Sequence, residues 1–358
     1  MYFSRAVTRA LRRVPCAARE ARRSMVTEAD VTGARRYCES QLKTGDYEAY
    51  LTRQFLPPSA RDAYDAFRAL NLELARLPET VSNPTIGRMR IQYWKDFVNQ
   101  TFAGNPPREP ISILLYKTIS SLASQGHSTS SLKFWLHRLI TTRESRMENQ
   151  PFTSLSALED YAENTYATLM YLTLASIPVR SVDMDHLASH IGKACGIVAI
   201  LRGIPVLAAP SQPIQGPAGT QVASTRSPAL LLPLDVMAEA GVREEDVFRN
   251  GPNAEGLQDA VFQVATRAND HLITAREMLQ KLKRGETADH AYEHEGETGH
   301  DHPSEEAGAQ VFSSVLLEAI PAREYLGRLE AANFDPYRVK SSWNLPWRLW
   351  RASRKAKI

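Results

Sequence analysis

Between residues 33 and 332 the apolar side chains recur every three to four positions. They do so in segments 33 to 51, 59 to 77, 84 to 102, 109 to 124, 131 to 147, 155 to 176, 183 to 204, 256 to 283 and 309 to 332. A period near 3.6 places one apolar stripe along a helix, a strand would need a period of two, and alternating β-branched runs are almost absent. The spacing therefore predicts an all-α chain. Proline and glycine mark the gaps, at Pro57-Pro58, Pro106-Pro107, Pro178 and Gly251-Pro252, where a helix has to stop. No repeat of solenoid length is present.

Two stretches fall outside this rhythm. Residues 208 to 228 (AAPSQPIQGPAGTQVASTRSP) are rich in Pro, Ser, Gly and Thr and read as a disordered insertion. Residues 284 to 308 hold eight acids together with His290, His294, His300 and His302. Helical spacing of the first two histidines makes a weak metal site conceivable, but a solvated, disordered insertion is the reading taken, and no function is placed there.

The two ends differ from the body. In 358 residues, 43 Lys and Arg face 40 Asp and Glu, and 43% of residues are hydrophobic. That composition belongs to a folded chain; it excludes collagen, wholesale disorder and a multi-span membrane protein. The balance also gives no reason to expect nucleic acid as a partner. Residues 1 to 24, however, carry seven arginines and one acid, Glu20, with Phe3, Val7, Leu11 and Val14 spaced along one face. That is the pattern of a mitochondrial transit peptide. The far end, 338 to 358, holds seven basic residues, no acid and three of the five tryptophans. Trp343, Trp347 and Trp350 follow i, i+4, i+7 spacing, so a helix would set the indoles on one face, with Arg348 and Arg351 among the cations around them. Two readings stand: an interfacial anchor for an anionic inner-membrane lipid surface, or a terminal helix seating its tryptophans on the protein's own core. Pro346 has to lie in its first turn. The most apolar 20-residue window, 191 to 210, contains Lys193, Arg202, Pro205 and Pro210, so no membrane span is expected and any membrane contact is peripheral. Cys38 and Cys195 have no paired spacing, and neither a disulfide framework nor a zinc site is expected.

Two segments invite a site. On a helix over 85 to 101, Ile86, Met89, Tyr93 and Phe97 form a stripe, and Arg90 falls within it beside Tyr93 and Trp94. A buried arginine needs either an anion in a cavity or a salt bridge to a neighbouring helix. On the helix of 186 to 204, Gly192, Gly196, Ala199 and Gly203 form a stripe with no side chain larger than methyl. Each glycine there costs roughly 1 kcal/mol relative to alanine. The stripe serves close packing or a cavity wall.

Several blocks resemble the squalene/phytoene synthase family: residues 64 to 94, LEDYAENTYATLMYLTLA at 158 to 175, HIGKACGIVAILRGIP at 190 to 205, LLLPLDVMAEAGVREEDV at 230 to 247 and LEAANFDP at 329 to 336. They occur in family order over most of residues 30 to 350. The resemblance implies an isoprenoid-synthase-like helical domain at 30 to 337 with a central cavity. Active members carry two Asp-rich motifs, DDxxD-like and NxxRDxxED-like, whose carboxylates hold Mg²⁺ around an allylic diphosphate. Here no Asp occurs between Ala66 and Lys95, only Glu73 and Glu79. With Arg202 on the arginine of the second motif, its Asn falls on Ala199, its Asp on Gly203 and its acidic pair on Val206 and Leu207; residues 186 to 234 hold no acid at all.

No catalytic residue, metal or cofactor is therefore assigned. Together with the transit-peptide pattern, the resemblance points to the family's non-catalytic mitochondrial branch. It implies a peripheral, matrix-side inner-membrane protein whose partners are assembly intermediates of respiratory complex I, early in biogenesis of the membrane-arm subunit ND1. A second reading keeps the cavity as a site for a prenyl or acyl chain, with Arg90 and Arg202 reading an anionic head group, or for residual prenyl-diphosphate transfer.

Overall fold

A computed structural model describes residues 26–81, 83–176, 182–209, 214–215, 221–222, 227–284 and 315–355. The arginine-rich segment 1 to 24 lies outside the described residues. So do residues 285 to 308 of the acidic insertion and most of 208 to 228.

The described chain is helical apart from two-residue strands, Ile214–Gln215 and Gln221–Val222, paired antiparallel. Helix α1 (Glu28–Gly45) opens with a capping box, Thr27 and Asp30 satisfying each other's backbone N–H groups. It stops at Asp46, whose carboxylate accepts from Ala49 N at 3.1 Å and caps α2 (Tyr47–Thr52). The single helix expected over 33 to 51 is thus two, because Asp46 offers the backbone a cap in place of another turn. Next come α3 (Pro58–Thr80), α4 (Pro84–Phe102), α5 (Pro110–Ser124) and α6 (Ser130–Glu144). The helix expected over 155 to 176 is interrupted: α7 (Leu155–Ala162) passes through a π-helical turn, Glu163–Ala167, into α8 (Thr168–Ala175). Long α9 (Val182–Leu207) precedes two seven-residue helices outside the periodic segments, α10 (Leu234–Ala240) and α11 (Glu244–Asn250). The chain closes with α12 (Leu257–Lys283), α13 (Ala319–Ala331) and α14 (Leu345–Lys355).

One small apolar cluster and two large apolar cores form among the described residues. One joins α1, α3, α4, α5 and α6 around Phe67, Ile91, Phe97, Leu114 and Leu136; the other joins α9, α12 and α13 around Ile197, Leu201, Val264, Leu272 and Leu329. Helix α8 serves both, sending Leu169 and Leu172 into the first and Met170 and Leu174 into the second. By length and composition α9 does suffice to cross a bilayer, its best 18-residue window having a mean hydropathy of 1.4, but half of that window is buried inside the protein. It runs along α12 and against α7, the π turn, α8 and α13. A helix apolar on all sides is what a central position of this kind requires.

Candidate functional site

A cavity of about 160 Å³ opens where α3 faces α9. Leu74, Ala75, Pro78 and Glu79 line it from α3, Ala199, Ile200 and Leu207 from α9, and Tyr161 and Tyr166 from α7 and the π turn. Arg143, at the end of α6, and Arg146, just beyond it, complete the wall with Asn149, Phe152 and Leu231.

Arg143 donates to Tyr161 Oη and, at 2.7 Å, to Asn71 Oδ1, while its Nε is buried without a hydrogen-bond partner. Arg146 lies 4.0 Å over the Phe152 ring and donates to the Gln150 carbonyl. Burial lowers the pKa of Arg146, because a guanidinium out of water is charged at a disadvantage. Among the described residues neither arginine has a carboxylate within 4 Å. Burial also pushes the Tyr166 hydroxyl up to about 12, so it is a neutral donor.

Of the residues singled out from sequence, Ala199 reaches this cavity. Arg90 does not: it is exposed, with Nη1 3.4 Å from Thr80 Oγ1. The buried face of α4 is Gly87, Ile91, Trp94, Phe97, Val98 and Thr101, leaving Ile86, Met89 and Tyr93 exposed. The projected stripe is thus rotated by about a third of a turn, because α4 buries Ile91 and Val98 instead. Trp94 belongs to the first core, edge-on to Phe97 with ring centroids 4.9 Å apart. Arg202 also points elsewhere. It pairs with Glu48 at 2.5 Å, donates to the Pro321 carbonyl at 3.0 Å and lies over the Tyr325 ring, tying α9 to α2 and α13.

The glycines divide into two kinds. A Cβ at Gly192 would stand 2.3 Å from Ala167 Cα, and one at Gly196 would stand 2.5 Å from Ala162 Cβ and 2.8 Å from its Cα. These two let α9 close on the α7–π segment. At Gly203 an added Cβ would meet only the Leu207 side chain, at 3.2 Å.

Three further features carry little sequence signal. Glu318 accepts from Tyr64 Oη at 2.6 Å and pairs with buried Arg68 at 2.5 Å, a link across 254 positions in the first case. Glu159 accepts from Arg267 Nε at 2.7 Å and lies 2.6 Å from His271 Nε2; His271 Nδ1 is 3.0 Å from His190 Nδ1. Burial, together with the neighbouring His271 and Lys193, pushes His190 down to about 4. Cys38 and Cys195 are free thiols, both pushed up by burial.

At the end of the chain α14 docks by Leu345 and Leu349, both buried against Leu317 and Ile320, with Leu51 and Phe55 alongside. Its tryptophans face away. Trp343, in the turn before the helix, is 90% exposed, Trp347 60% and Trp350 42%, the last two stacked 4.7 Å apart. Arg348 pairs with Glu324, and Arg351 is exposed. Of the two readings of this segment, seating of the indoles on the protein's own core is excluded.

The squalene/phytoene synthase family model matches residues 42–351. The chain belongs to the squalene/phytoene synthase family. Its relatives there include proteins named NADH dehydrogenase (ubiquinone) complex I, assembly factor 6. That of Mus musculus is 36% identical over 305 residues, covering 85% of this chain and 76% of the relative. The Drosophila melanogaster homolog is 32% identical over 323 residues, 87% and 80% of the two chains. The fold is that of a dehydrosqualene synthase crystallised with a ligand, at a TM-score of 0.63 and 15% identity over 92% of this chain and 98% of that one. Squalene synthase HpnC from Alicyclobacillus acidocaldarius matches at 0.60 and 11%, over 87% and 98%.

The resemblance aligns residues 199 to 207, on α9, with the second Asp-rich motif, and α9 is one wall of this cavity. Mg²⁺ requires oxygen ligands in near-octahedral array, largely carboxylate and phosphate. The lining supplies one carboxylate, exposed Glu79, against two guanidiniums. Among the described residues no group of three His, Cys, Asp or Glu is placed to share a metal. This donor set does not fit the family's magnesium cluster.

Proposed function

We propose that this protein is a non-catalytic assembly factor for mitochondrial respiratory complex I, acting early in biogenesis of the membrane-arm subunit ND1 from the matrix face of the inner membrane. The observation that carries the reading is the shared name of relatives 32 to 36% identical over most of the chain. The cavity wall supports the non-catalytic part. Where ionisation of an allylic diphosphate needs metal-bound carboxylates, α9 presents Ala199, Ile200 and Leu207.

Membrane attachment is supported by α14, which turns two stacked indoles outward among arginines. Tryptophan favours the headgroup level of a bilayer, and each basic residue near an anionic surface contributes about 1 kcal/mol. Its charge suits an anionic lipid surface.

Deleting the gene tests the central reading. Complex I and newly made ND1 are expected to fall while complexes III and IV persist; normal complex I in the deletion strain would sink the idea. Incubating the purified chain with farnesyl diphosphate and Mg²⁺ is expected to release no diphosphate above background, and turnover at enzymatic rates would overturn the non-catalytic assignment.

A further inference from the structure

The cavity wall carries two cations. Arg143 and Arg146 both line the α3–α9 cavity, each partly buried and neither matched by a carboxylate, and the buried Nε of Arg143 has no hydrogen-bond partner. Elsewhere in the described chain Arg53 pairs with Asp65, Arg68 with Glu318 and Arg202 with Glu48; Arg61, Arg76 and Arg328, also partly buried without a carboxylate, donate to neutral oxygens and do not line this cavity. A guanidinium withdrawn from water gains from an anionic partner, because its lost hydration is otherwise uncompensated. Two such groups lining one cavity make a site for an oxyanion, since the planar fork of arginine matches phosphate and carboxylate oxygens in pairs. Tyr161 and Tyr166 in the same wall add hydroxyl groups.

We propose that this cavity binds a phosphomonoester dianion without any metal, gripped by Arg143 and Arg146. Phosphate is favoured over carboxylate because three terminal oxygens are enough to engage two guanidiniums at once, whereas two oxygens satisfy only one fork. Size limits the group esterified to the phosphate. At about 160 Å³ the cavity compares with one that holds a single benzene ring, and it falls below the roughly 300 Å³ at which drug-sized ligand pockets begin. A phosphate head with a short stub fits; a farnesyl chain does not. The stub meets apolar wall at Leu74, Ala199 and Leu231. The head group belongs either to a small soluble ester or to a phosphatidic-acid-type lipid whose tails stay outside.

Isothermal titration of the full chain with inorganic phosphate, in the presence of EDTA, tests the proposal. Saturable binding and a raised Tm are expected, with Arg146→Gln weakening binding at least tenfold while circular dichroism stays unchanged. Arg143 also holds Asn71 and Tyr161, so its replacement is a poorer probe. Ala199→Leu, which adds bulk to the wall without removing a charge, is the second variant and is expected to abolish binding. Competition identifies the source. Displacement of phosphate by glycerol 3-phosphate points to a soluble ester. Displacement only by phosphatidylcholine vesicles containing phosphatidic acid, and not by pure phosphatidylcholine, points to a lipid head group; both outcomes support the site. Absence of phosphate binding at millimolar concentration, binding that requires Mg²⁺, or binding unaltered in folded Arg146→Gln would overturn it. Complex I levels are not the readout, so its failure leaves the assembly role standing.

Discussion

Gly192 and Gly203 occupy one face of one helix, yet alanine at each has a different expected cost. At Gly192 the added methyl carbon collides with Ala167 backbone at 2.3 and 2.4 Å, and backbone cannot swing aside as a side chain can. Overpacking of this kind costs about 1 to 3 kcal/mol or more, which should outweigh the roughly 1 kcal/mol of helix propensity gained on replacing glycine. Gly192→Ala is therefore expected to lower the urea midpoint clearly, and Gly203→Ala, which meets only the movable end of Leu207, to leave it unchanged or raise it. A second residue-scale prediction concerns the histidine pair. Neutral His271 donates Nε2–H to Glu159 and can accept at Nδ1 from His190, so a second proton there has no acceptor; Arg267, Lys193 and His186 lie close as well, and Glu159 and Glu163 oppose them. His190 titrates near 4 when folded against 6.5 when free. The unfolded chain thus binds more protons between those values, and stability falls as pH drops from 6.5 toward 4. Allowing for the partial exposure of His190, the loss is on the order of 1 to 2 kcal/mol. Thermal melts at pH 7.5 and 5 should show it, and His190→Asn should flatten the slope; equal slopes would refute the assignment. Sequence makes Ala199 visible as part of a small-residue stripe. It leaves Arg143 and Arg146 unmarked, since two arginines near a helix end look like surface until the fold brings α3 and α9 over them.

At the scale of elements, α14 has two faces that are separately testable. Leu349 is fully buried, and Leu349→Asp should undock the helix, with faster hydrogen exchange over 345 to 355. Trp347→Ser with Trp350→Ser leaves the docking leucines in place and is expected to change Tm little, yet to reduce binding to phosphatidylcholine vesicles containing phosphatidylglycerol by tenfold or more. Unchanged flotation with such vesicles would refute the interfacial role. Helix α14 is marked in the sequence by its tryptophans, which are exposed, and not by the leucines that dock it. Apolar periodicity places most of the other helices within a few residues, because a buried stripe leaves its spacing in the sequence whatever it packs against. It does not show which neighbour each stripe meets. The stripe projected for α4 departs from the buried one for that reason: Ile86, Met89 and Tyr93 satisfy the same period as the buried Ile91, Trp94 and Val98. The π turn at Glu163–Ala167 is invisible for another, since it adds one residue to a turn without interrupting the apolar pattern around it.

For the whole molecule, α8 is shared by both cores, as is α3 through Ala60 and Tyr64 in one and Phe67 and Leu70 in the other; Leu172 is fully buried in the first core and Leu174 nearly so in the second. Calorimetry of the full chain should accordingly give one cooperative transition for the described helices, and Leu172→Ala, costing about 2 to 5 kcal/mol, should lower it as a single peak; two resolved peaks would show that the halves melt apart. The all-α architecture is legible throughout, whereas long-range pairs such as Tyr64 with Glu318 are not, because nothing in the spacing links two residues 254 positions apart. One consequence concerns posture. Because α14 is clasped to the body by its leucines while its indoles look outward, the proposed membrane contact would make the helix a rigid foot and not a leash. Whatever plane the tryptophans rest on fixes the tilt of the entire body above it, with α2 and the start of α13 nearest the ground. A partner emerging from that plane would always meet the same side of the protein.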